Sequence, residues 1–468
     1  MKSSETSEKP STTTAHQPDA DSATRAIAAF VHTCTWDDLP ENTRHASLRS
    51  FVNWVGCAMG GASHLSVSRA LAGLAPLSAS QACTVIGHDY RCDPLNAALL
   101  NGLSASAYAF DDTHLASIAH PTAPTVAALL AYAEQHAVSG RDFLVALTLS
   151  NEVQCRLSAA LGVAPADSHL GLYMTGMTGA AGVAAGIGKL MGLSEQQLVW
   201  AIGMGAMQGS GFRATHGTMC GGIVPAIAGK AGLLAAHLAR ADFTCSDDGL
   251  AARNGFLDVF ARHANLAALT AALGTEFECM NVVAKPFPAG VLLHAAIDAC
   301  LSLRSAYRFD PHEIETVSVQ VHRLALEITG KQAPRQAYEA QVSLFHWVAA
   351  VLTHGRAGIH EASDACVHEP AVIALRQRIR AEVAPDLQSD EALVSVTLRN
   401  GQQFSAEACP CLGSPGRPMS DLQLEEKLIA QAASRVTEAE ARMLAQYCWA
   451  MPEAALVRDA APGFWGER

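Results

Sequence analysis

Small and apolar residues at helical spacing fill the chain from residue 23 to about residue 272. Apolar positions recur there every three or four residues and are interrupted by glycine and proline, which is typical of successive amphipathic helices rather than of alternating strands. Two stretches, residues 179–193 and 201–211, are dense in glycine and alanine, so their helices can pack with their backbones close together. The pattern predicts a large all-helical domain over residues 23–272.

A period of two residues appears later in the chain. Apolar and polar residues alternate from Ile314 onwards and again over residues 392–399, and Asn400-Gly401 is the pair typical of a two-residue hairpin turn. We therefore predict a smaller α/β lid domain over residues 273–408. Together with the helices, it makes the predicted fold class mainly α.

The two ends of the chain differ in character. Ser420 and Gln423 have the spacing of a capping box that begins a new helix, so residues 409–468 are predicted to be a helical segment that rejoins the first domain and makes it discontinuous. Residues 1–22 are polar and rich in Ser and Thr. A segment of that composition buries too little apolar surface to fold, so we predict a disordered tail.

Charge and cysteine content restrict the partners. The 468 residues carry 44 acidic and 32 basic side chains, a formal net charge of -12, which argues against nucleic acid as a partner. A small anionic substrate would need a few cations focused in a cleft. The 13 cysteines lack paired zinc spacing, and the start of the chain has no apolar leader, so we expect reduced thiols and a cytoplasmic protein. The longest uncharged apolar stretch, residues 172–188, is short for a membrane span.

Residues 110–124 form the segment richest in chemically useful side chains. Carboxylates, hydroxyls and imidazoles lie close together there, beside prolines that stop a helix. We expect His120 to move a proton, oriented by Asp111 or Asp112, and Thr113 to hydrogen-bond a substrate carboxylate. Two alternatives stay open: the segment only caps a turn, with a solvated His114, or Asp111, His114 and His120 bind a metal.

Two further segments offer the cations that an anionic substrate requires. Arg213 and His216 lie in a glycine-rich loop before a helix, where backbone amides and a guanidinium can bind a carboxylate. Lys285 precedes a proline-ordered turn, and His294 follows on the next helix. The alternatives are a surface arginine for the first segment and a solvated lysine with a core histidine for the second.

Several motifs, in order from about residue 24 to residue 450, resemble the MmgE/PrpD family, which includes 2-methylcitrate dehydratase, cis-aconitate decarboxylase and iminodisuccinate epimerase. They are NGLSASAYAFDDTH, HPTAP, GAAGVAAGIGKLMGLS, GTMC with AGKAGLLAAHLA, AKPFP and GRPMSDLQLEEKL. The resemblance implies a discontinuous helical domain, a smaller α/β lid, a homodimer, and an active site between the domains without metal or organic cofactor.

The resemblance carries over to only some of the site residues. Thr113, His120, Lys285 and His294 stand where the family has its Thr, His, Lys and His. At other positions a family residue is replaced: His by Ser106, Asp by Ala109, His by Tyr173, Lys by Gly221 and His by Val224.

Because these family residues are replaced, other groups would have to supply the charge and the proton donor that they provide. Gly221 can neither neutralise a carboxylate nor assist proton transfer. We expect Arg213 and His216 to supply the missing charge and Tyr173 to act as an acid.

The resemblance and the residues together predict a lyase. The reaction would be proton abstraction next to a carboxylate of a citrate- or aconitate-like acid, followed by loss of water or carbon dioxide, with His120, Tyr173 and Asp112 as the catalytic groups. Thr113, Arg213, His216, Lys285 and His294 would bind the substrate, and no metal is expected. Alternatives are an epimerase of a dicarboxylate and a catalytically silent relative that binds a ligand.

Overall fold

The structure is a computed structural model, and it describes residues 22–162, 164 and 166–461. The predicted tail at residues 1–22 therefore lies outside the described residues except for Ser22, which caps the first helix. The helices are α1 Ala23–Thr33, α2 Glu41–Gly61, α3 Leu65–Leu74, α4 Pro94–Ser106, α5 Thr122–Ala133, α6 Gly140–Leu161, α7 Met174–Leu190, α8 Glu195–Met207, α9 Met219–Arg240, α10 Phe256–Phe260, α11 Ala267–Thr270, α12 His294–Ala306, α13 Arg323–Thr329, α14 Ala337–Ala340, α15 Leu344–His354, α16 Asp364–Val367, α17 Pro370–Arg376, α18 Asp421–Ala432 and α19 Glu438–Trp449. The strands are β1 Cys83–Thr84, β2 Arg91–Cys92, β3 Asp112–His114, β4 Val282–Ala284, β5 Ile314–Val321, β6 Ile379–Val383, β7 Ala392–Leu398 and β8 Gln403–Ala408.

The helical part is built around α7, which packs against α5, α6, α8 and α9. Glycines along α7 make these close approaches possible: a Cβ at Gly182 would collide with α6, at Ser150 and Gln154. A small residue is therefore required where the two backbones meet. The small-residue stretches are helical, as predicted, and the mainly α fold class is confirmed.

Helix α9 is long and apolar enough to cross a membrane by length and composition alone, and half of its most apolar window is buried inside the protein. It contains Pro225 and packs against α4, α5, α7 and α8.

The lid contains the four-stranded sheet, in the order β6-β5-β7-β8. Strand β5 runs parallel to β6 and antiparallel to β7, which pairs antiparallel with β8. Helices α12 and α15 pack on each other, and α12 also packs on β7 and β8. The buried residues of this core run from Phe287 to Cys411, while the domain boundaries at residues 272 and 408 stay predictions.

The β7–β8 hairpin is confirmed, but its turn is one residue longer than predicted. The backbone N–H of Leu398 donates to Gln402 across a loop of Arg399, Asn400 and Gly401. A two-residue turn of the predicted type needs positive φ at both central residues. Only Gly401 has one here, at φ 84°.

The end of the chain returns to its beginning, because α18 and α19 both pack against α2. The predicted capping box is confirmed: the Ser420 side chain accepts from the Gln423 backbone N–H, and the Gln423 side chain accepts from the Ser420 backbone N–H. The packing of α18 against α2 places α18 next to the segment around residue 110, which forms part of the candidate active site.

One expectation about the helical region was wrong. The sequence shows no clear alternation there, yet residues 112–114 are the short strand β3, which pairs antiparallel with β4. The pairing partner lies about 170 positions away, so nothing local reveals it. The cluster of chemically useful side chains therefore lies on a strand and the turn after it, and not at the end of a helix.

Candidate active site

The β3–β4 pairing brings together an ion pair. Asp112 lies opposite Ala284, so the preceding Asp111 meets the following Lys285, whose backbone N–H donates to the Asp111 carbonyl at 3.2 Å. The Lys285 ammonium also donates to the Asp111 carboxylate, and both side chains are buried. Burial opposes ionisation of this carboxyl, but the charges of Lys285 and His120 outweigh burial and hold the pKa of Asp111 below its usual value.

His120 lies beside this pair, in the turn before α5. Its Nδ1 lies 2.8 Å from the backbone carbonyl of Asp112 and 3.0 Å from the Thr113 hydroxyl. A carbonyl oxygen only accepts, so this contact requires Nδ1 to carry the proton. The neutral ring then presents the lone pair of Nε2 to a ligand.

The surroundings of His120 keep the ring neutral. Burial, and then the positive charge of Lys285, lower the pKa of His120 to about 4. His216 is similar: burial and the charges of Arg213 and His120 lower its pKa to about 4. Both imidazoles are therefore neutral at pH 7 and can accept protons. A bound polyanion would raise both pKa values.

These groups surround a cavity of about 90 Å³ between the helical part and the lid. His120, Asp111, Lys285, Tyr173 and His216 are among its lining residues. Pockets for drug-sized ligands are usually about 300–1,000 Å³, so this cavity is suited only to a small molecule.

The lid closes the cavity through polar and aromatic contacts. The Gln341 side-chain amide donates to the Ala107 carbonyl at 3.1 Å, and the Gln336 amide donates to the Gly217 carbonyl at 3.1 Å. Tyr338 packs edge-on against His64, with 5.2 Å between ring centroids. These contacts add to the β3–β4 pairing and the buried Lys285–Asp111 pair, which also join the two parts.

Tyr173 occupies the centre of the cavity wall. It is the N-cap residue of α7, and its ring lies edge-on between His120, at 6.0 Å between centroids, and His216, at 5.1 Å. Burial, and then the negative charge of Asp111, raise the pKa of Tyr173 above its usual value. The hydroxyl therefore stays protonated and can donate to a ligand.

Arg213 lies behind this wall. Its Nε donates to the Leu172 carbonyl at 3.0 Å, which fixes the guanidinium beside the residue that precedes Tyr173. Burial lowers its pKa, but the group keeps its positive charge at pH 7. The structure places this charge near His216 and Tyr173, and not among the residues that line the cavity.

Two other predicted site residues also lie outside the cavity lining. Thr113 is fully buried and contacts the cavity only through its hydroxyl at His120 Nδ1. His294 is a core histidine: its Nε2 lies 3.2 Å from the Ala289 carbonyl and its ring packs on Phe287. Burial and the charge of Lys285 lower its pKa to about 3. The structure makes Thr113 a neighbour that positions the imidazole and His294 part of the packing.

Asp112 points away from His120, because successive side chains on a strand face opposite sides. Its side chain lines a different cavity, of about 460 Å³, together with Asn53 and Arg49. Asp112 Oδ1 accepts from the Thr122 backbone N–H at 3.4 Å, and Oδ2 has no partner among the described residues. Burial raises the pKa of Asp112 to about 7. The carboxylate beside the imidazole is thus Asp111, and Asp112 contributes its backbone carbonyl.

The metal alternative at this segment is not supported by the side-chain directions. His114 turns away from His120: its Nδ1 lies 2.8 Å from the Ser117 hydroxyl and its Nε2 3.3 Å from the Glu278 carboxylate. Asp111 is paired with Lys285. Asp111, His114 and His120 therefore do not converge on one point.

Lys427, which the sequence analysis did not identify, hydrogen-bonds to the backbone next to the site. This buried ammonium donates to three oxygens: Asn53 Oδ1 at 2.7 Å, the Phe110 carbonyl at 2.7 Å and the Lys285 carbonyl at 2.8 Å. It also lies 4.0 Å from the centroid of the Phe110 ring. Burial lowers its pKa to about 8. Lys427 thereby fixes the backbone on both sides of the Asp111–Lys285 pair.

Among the replaced positions, Gly221 and Ala109 line the cavity, whereas Val224 does not. Gly221 lines the cavity, and the nearest atom to a Cβ placed there would be the Thr215 carbonyl oxygen at 3.5 Å. Ala109 also lines it, in the left-handed region with φ 50°. Val224 is buried. A longer side chain at position 221 would project into space that the backbone leaves open.

The chain has recognisable relatives. It is 28% identical to the cis-aconitate decarboxylase of Homo sapiens over 376 residues, 77% of each chain. It is 25% identical to that of Mus musculus over 429 residues, 88% of this chain and 87% of the relative. It is 28% identical to the cis-aconitate decarboxylase-like protein oryM of Aspergillus oryzae over 353 residues, 69% of this chain and 73% of the relative.

Both parts of the chain also match domain families. Residues 25–268 match the MmgE/PrpD N-terminal domain, and residues 287–451 match the MmgE/PrpD C-terminal domain. These two matches cover most of the chain, in the order that the motifs indicate. The protein therefore belongs to the MmgE/PrpD family and is distantly related to cis-aconitate decarboxylases.

Proposed function

We propose that the protein is a lyase that removes carbon dioxide or water from a small polycarboxylate such as an aconitate- or citrate-like acid, without an organic cofactor. The observation that carries the proposal is the neutral imidazole of His120. Its Nδ1 contacts the Asp112 carbonyl, the Lys285 ammonium lies 3.3 Å from the same nitrogen, and the Tyr173 ring lies edge-on to the imidazole. Proton transfer next to a carboxylate needs such a base beside donors that stabilise the resulting negative charge.

The residues divide the chemistry between them. In a dehydration, His120 Nε2 takes the proton next to a carboxylate, and the Lys285 ammonium stabilises the negative charge that develops. The C–O bond to the neighbouring hydroxyl then breaks, and the leaving hydroxide takes a proton from Tyr173 and departs as water. In a decarboxylation, the bond to the carboxylate breaks, carbon dioxide leaves, and the electron pair left on carbon takes a proton from Tyr173 or from protonated His120. His216 contacts a second carboxylate from the opposite wall, and Arg213 adds positive charge from behind.

Measurement of turnover in D₂O tests the proposal. The purified protein is incubated with cis-aconitate, 2-methylcitrate and longer alkylcitrates, and products are identified by mass spectrometry. We expect one of these acids to lose carbon dioxide or water, and His120→Gln to lower kcat about 10²- to 10⁴-fold. His263→Asn, at a side chain that is 79% exposed, is the matched control. Full activity of His120→Gln would overturn the proposal.

The same experiment separates two alternatives. An epimerase would incorporate deuterium from the solvent without net loss of mass from the carbon skeleton. A ligand-binding relative without catalysis is favoured by Gly221 and Ala109, which stand where the family has a Lys and an Asp; it would bind one of the acids and convert none. Either result would replace the lyase proposal.

We also propose that the protein is a cytoplasmic homodimer. Met207, Ile227 and Leu234 are 74%, 40% and 37% exposed along one side of α9 and the adjoining end of α8. Apolar side chains in such a group are typical of a surface that a second copy covers.

A further inference from the structure

A second group of chemically useful side chains lies in the lid, where α15 ends and α16 and α17 begin. His354 is the last residue of α15, Cys366 lies in α16, and Glu369 caps α17. Each offers one ligating atom, and the three atoms lie within 4.8 Å of one another. His354 Nε2 and the Glu369 carboxylate are 3.0 Å apart. None of the three lines the cavity around His120.

The imidazole of His354 is oriented by a buried carboxylate. Its Nδ1 lies 3.1 Å from Glu361 Oε1, and the Glu361 side chain is only 1% exposed. Glu361 is itself fixed by the Gly358 backbone N–H at 2.8 Å and by Arg356 Nε at 2.8 Å. Without an ion both ring nitrogens face carboxylates, Nδ1 towards Glu361 and Nε2 towards Glu369. Glu361 can keep its hydrogen bond from Nδ1–H while an ion replaces the proton on Nε2, beside Glu369 and Cys366. Metal-binding histidines in proteins are oriented in this way.

We propose that His354 Nε2, Cys366 Sγ and the Glu369 carboxylate bind a divalent transition-metal ion, with Zn²⁺ as the best match and water as the fourth ligand. A nitrogen, a thiolate and a carboxylate are the ligands that Zn²⁺ takes in proteins. Modest side-chain movement brings the three atoms to ordinary zinc distances, about 2.0–2.3 Å from the ion. The thiol proton is released to solvent when the metal–sulfur bond forms.

Access from solvent is compatible with this assignment. The Cys366 thiol is buried, while the side chains of His354 and Glu369 are 15% and 34% exposed. One side of the group is therefore open to an incoming ion and to the water that completes a tetrahedral shell. Because the ligands come from three successive elements, the ion would tie the end of α15 to α16 and α17 and stabilise the lid.

A competing group shares one residue. His354, His360 and Glu361 also bring ligating atoms within 4.8 Å. In that set His354 would bind through Nδ1, and Glu361 Oε1 would exchange its contacts with Arg356 Nε and His354 Nδ1 for the ion. The set with Cys366 leaves these contacts in place, which is why the geometry favours it. The two sets make opposite predictions for Cys366 and His360.

Cobalt binding tests the site and needs no knowledge of the substrate, so its outcome is independent of the proposed function. The full-length protein is freed of metal with a chelator and titrated with Co²⁺. We expect one ion per chain to give the ultraviolet charge-transfer band of a thiolate bound to cobalt, together with visible bands of tetrahedral geometry. Zn²⁺ should abolish the bands by displacement and raise the Tm.

Variants identify the ligands. Cys366→Ser should lose the charge-transfer band and the Zn²⁺-dependent rise in Tm. Glu369→Gln should weaken binding, and Glu361→Gln, which acts through His354, should weaken it about 10- to 100-fold. His360→Asn is the matched control within the cluster. Cys409→Ser, at an exposed cysteine elsewhere in the lid, is the control for other thiols.

The outcomes against the proposal are equally definite. A band that persists in Cys366→Ser, or that disappears in His360→Asn, would overturn the assignment. So would the absence of any saturable Co²⁺ binding, which would make the group an ion-pair network in which His354 bridges two glutamates. If Cys366→Ser does not fold, Glu369→Gln at its partly exposed position decides the test, since unchanged affinity there would also refute the site.

Discussion

Removing the ammonium of Lys285 should destabilise the protein strongly, because it leaves a buried carboxylate without its partner. The side chains of Lys285 and Asp111 are 2% and 6% exposed. Deleting one member of such a pair costs about 3–5 kcal/mol. Lys427, whose charge also acts on Asp111, remains in Lys285→Met, so we expect the lower end, about 3 kcal/mol. At about 2 °C per kcal/mol for a large domain, the Tm should fall by about 6 °C.

Differential scanning calorimetry of four proteins measures this effect: wild type, Lys285→Met, Asp111→Asn and the double variant. The double variant should recover part of the loss, because no unpaired charge is left buried. Arg442→Met is the matched control, since the side chains of Arg442 and its partner Glu438 are 58% and 70% exposed. An exposed pair of this kind is worth about 1 kcal/mol or less.

The loss should also depend on pH with a definite sign. In the wild type the pKa of Asp111 lies below its unfolded value, so the stability from the pair is present above about pH 3.9 and is lost as the pH falls through the folded pKa. In Lys285→Met burial would raise that pKa, and the penalty would then be largest at pH 7 and shrink on acidification. A Tm loss under about 2 °C, or one that grows as the pH falls, would refute the buried-pair interpretation.

Three further predictions follow from other features. For dehydration, in which neutral His120 is the base, kcat/KM should be constant around neutral pH and fall with unit slope only below the pKa of His120 at about 4. An inflection near the ordinary histidine value of about 6.5 would contradict a buried, neutral base. Ala109→Gly should raise the Tm slightly, because the strain relieved at a left-handed alanine, about 1–2 kcal/mol, exceeds the entropic penalty of glycine, about 0.5–1 kcal/mol. The control Ala430→Gly, in the exposed face of α18, should lower the Tm. Equal effects of the two substitutions would show that φ at residue 109 is not left-handed. Ile227→Asp should convert the proposed dimer to monomers in light scattering without loss of helical circular dichroism, and an unchanged mass would exclude this face of α9 as the dimer contact.

Features that depend on neighbouring residues were predictable from the sequence. The helices, the capping box at Ser420 and the β7–β8 hairpin all follow from patterns within a few residues. Even there the turn was one residue too short, because Gly401 alone takes the positive φ. His120 and Lys285 were predicted from their segments and from the family resemblance, and Tyr173 and His216 from spacing, as groups that compensate for replaced residues. The structure places all four around one cavity.

Features that depend on distant pairing were not predictable. Asp111 and Asp112 are chemically identical in sequence, and only the pairing of β3 with β4 decides which one faces Lys285. Lys427 was overlooked as one more charge in a polar helix. The signal was available, since Leu424, Leu428 and Gln431 form the buried side of α18 and Lys427 falls on the same side. A lysine within an apolar stripe is a candidate for a buried role.

The position of Lys427 has a consequence for how the protein matures. Its three hydrogen bonds reach segments 374, 317 and 142 residues earlier in the chain. During synthesis the helices and the lid emerge first and can fold. Lys427 can make its hydrogen bonds next to the His120 site only after α18 has left the ribosome. A chain truncated before residue 421 would keep the residues that line the cavity. It would lack Lys427, which fixes the backbone on both sides of the Asp111–Lys285 pair.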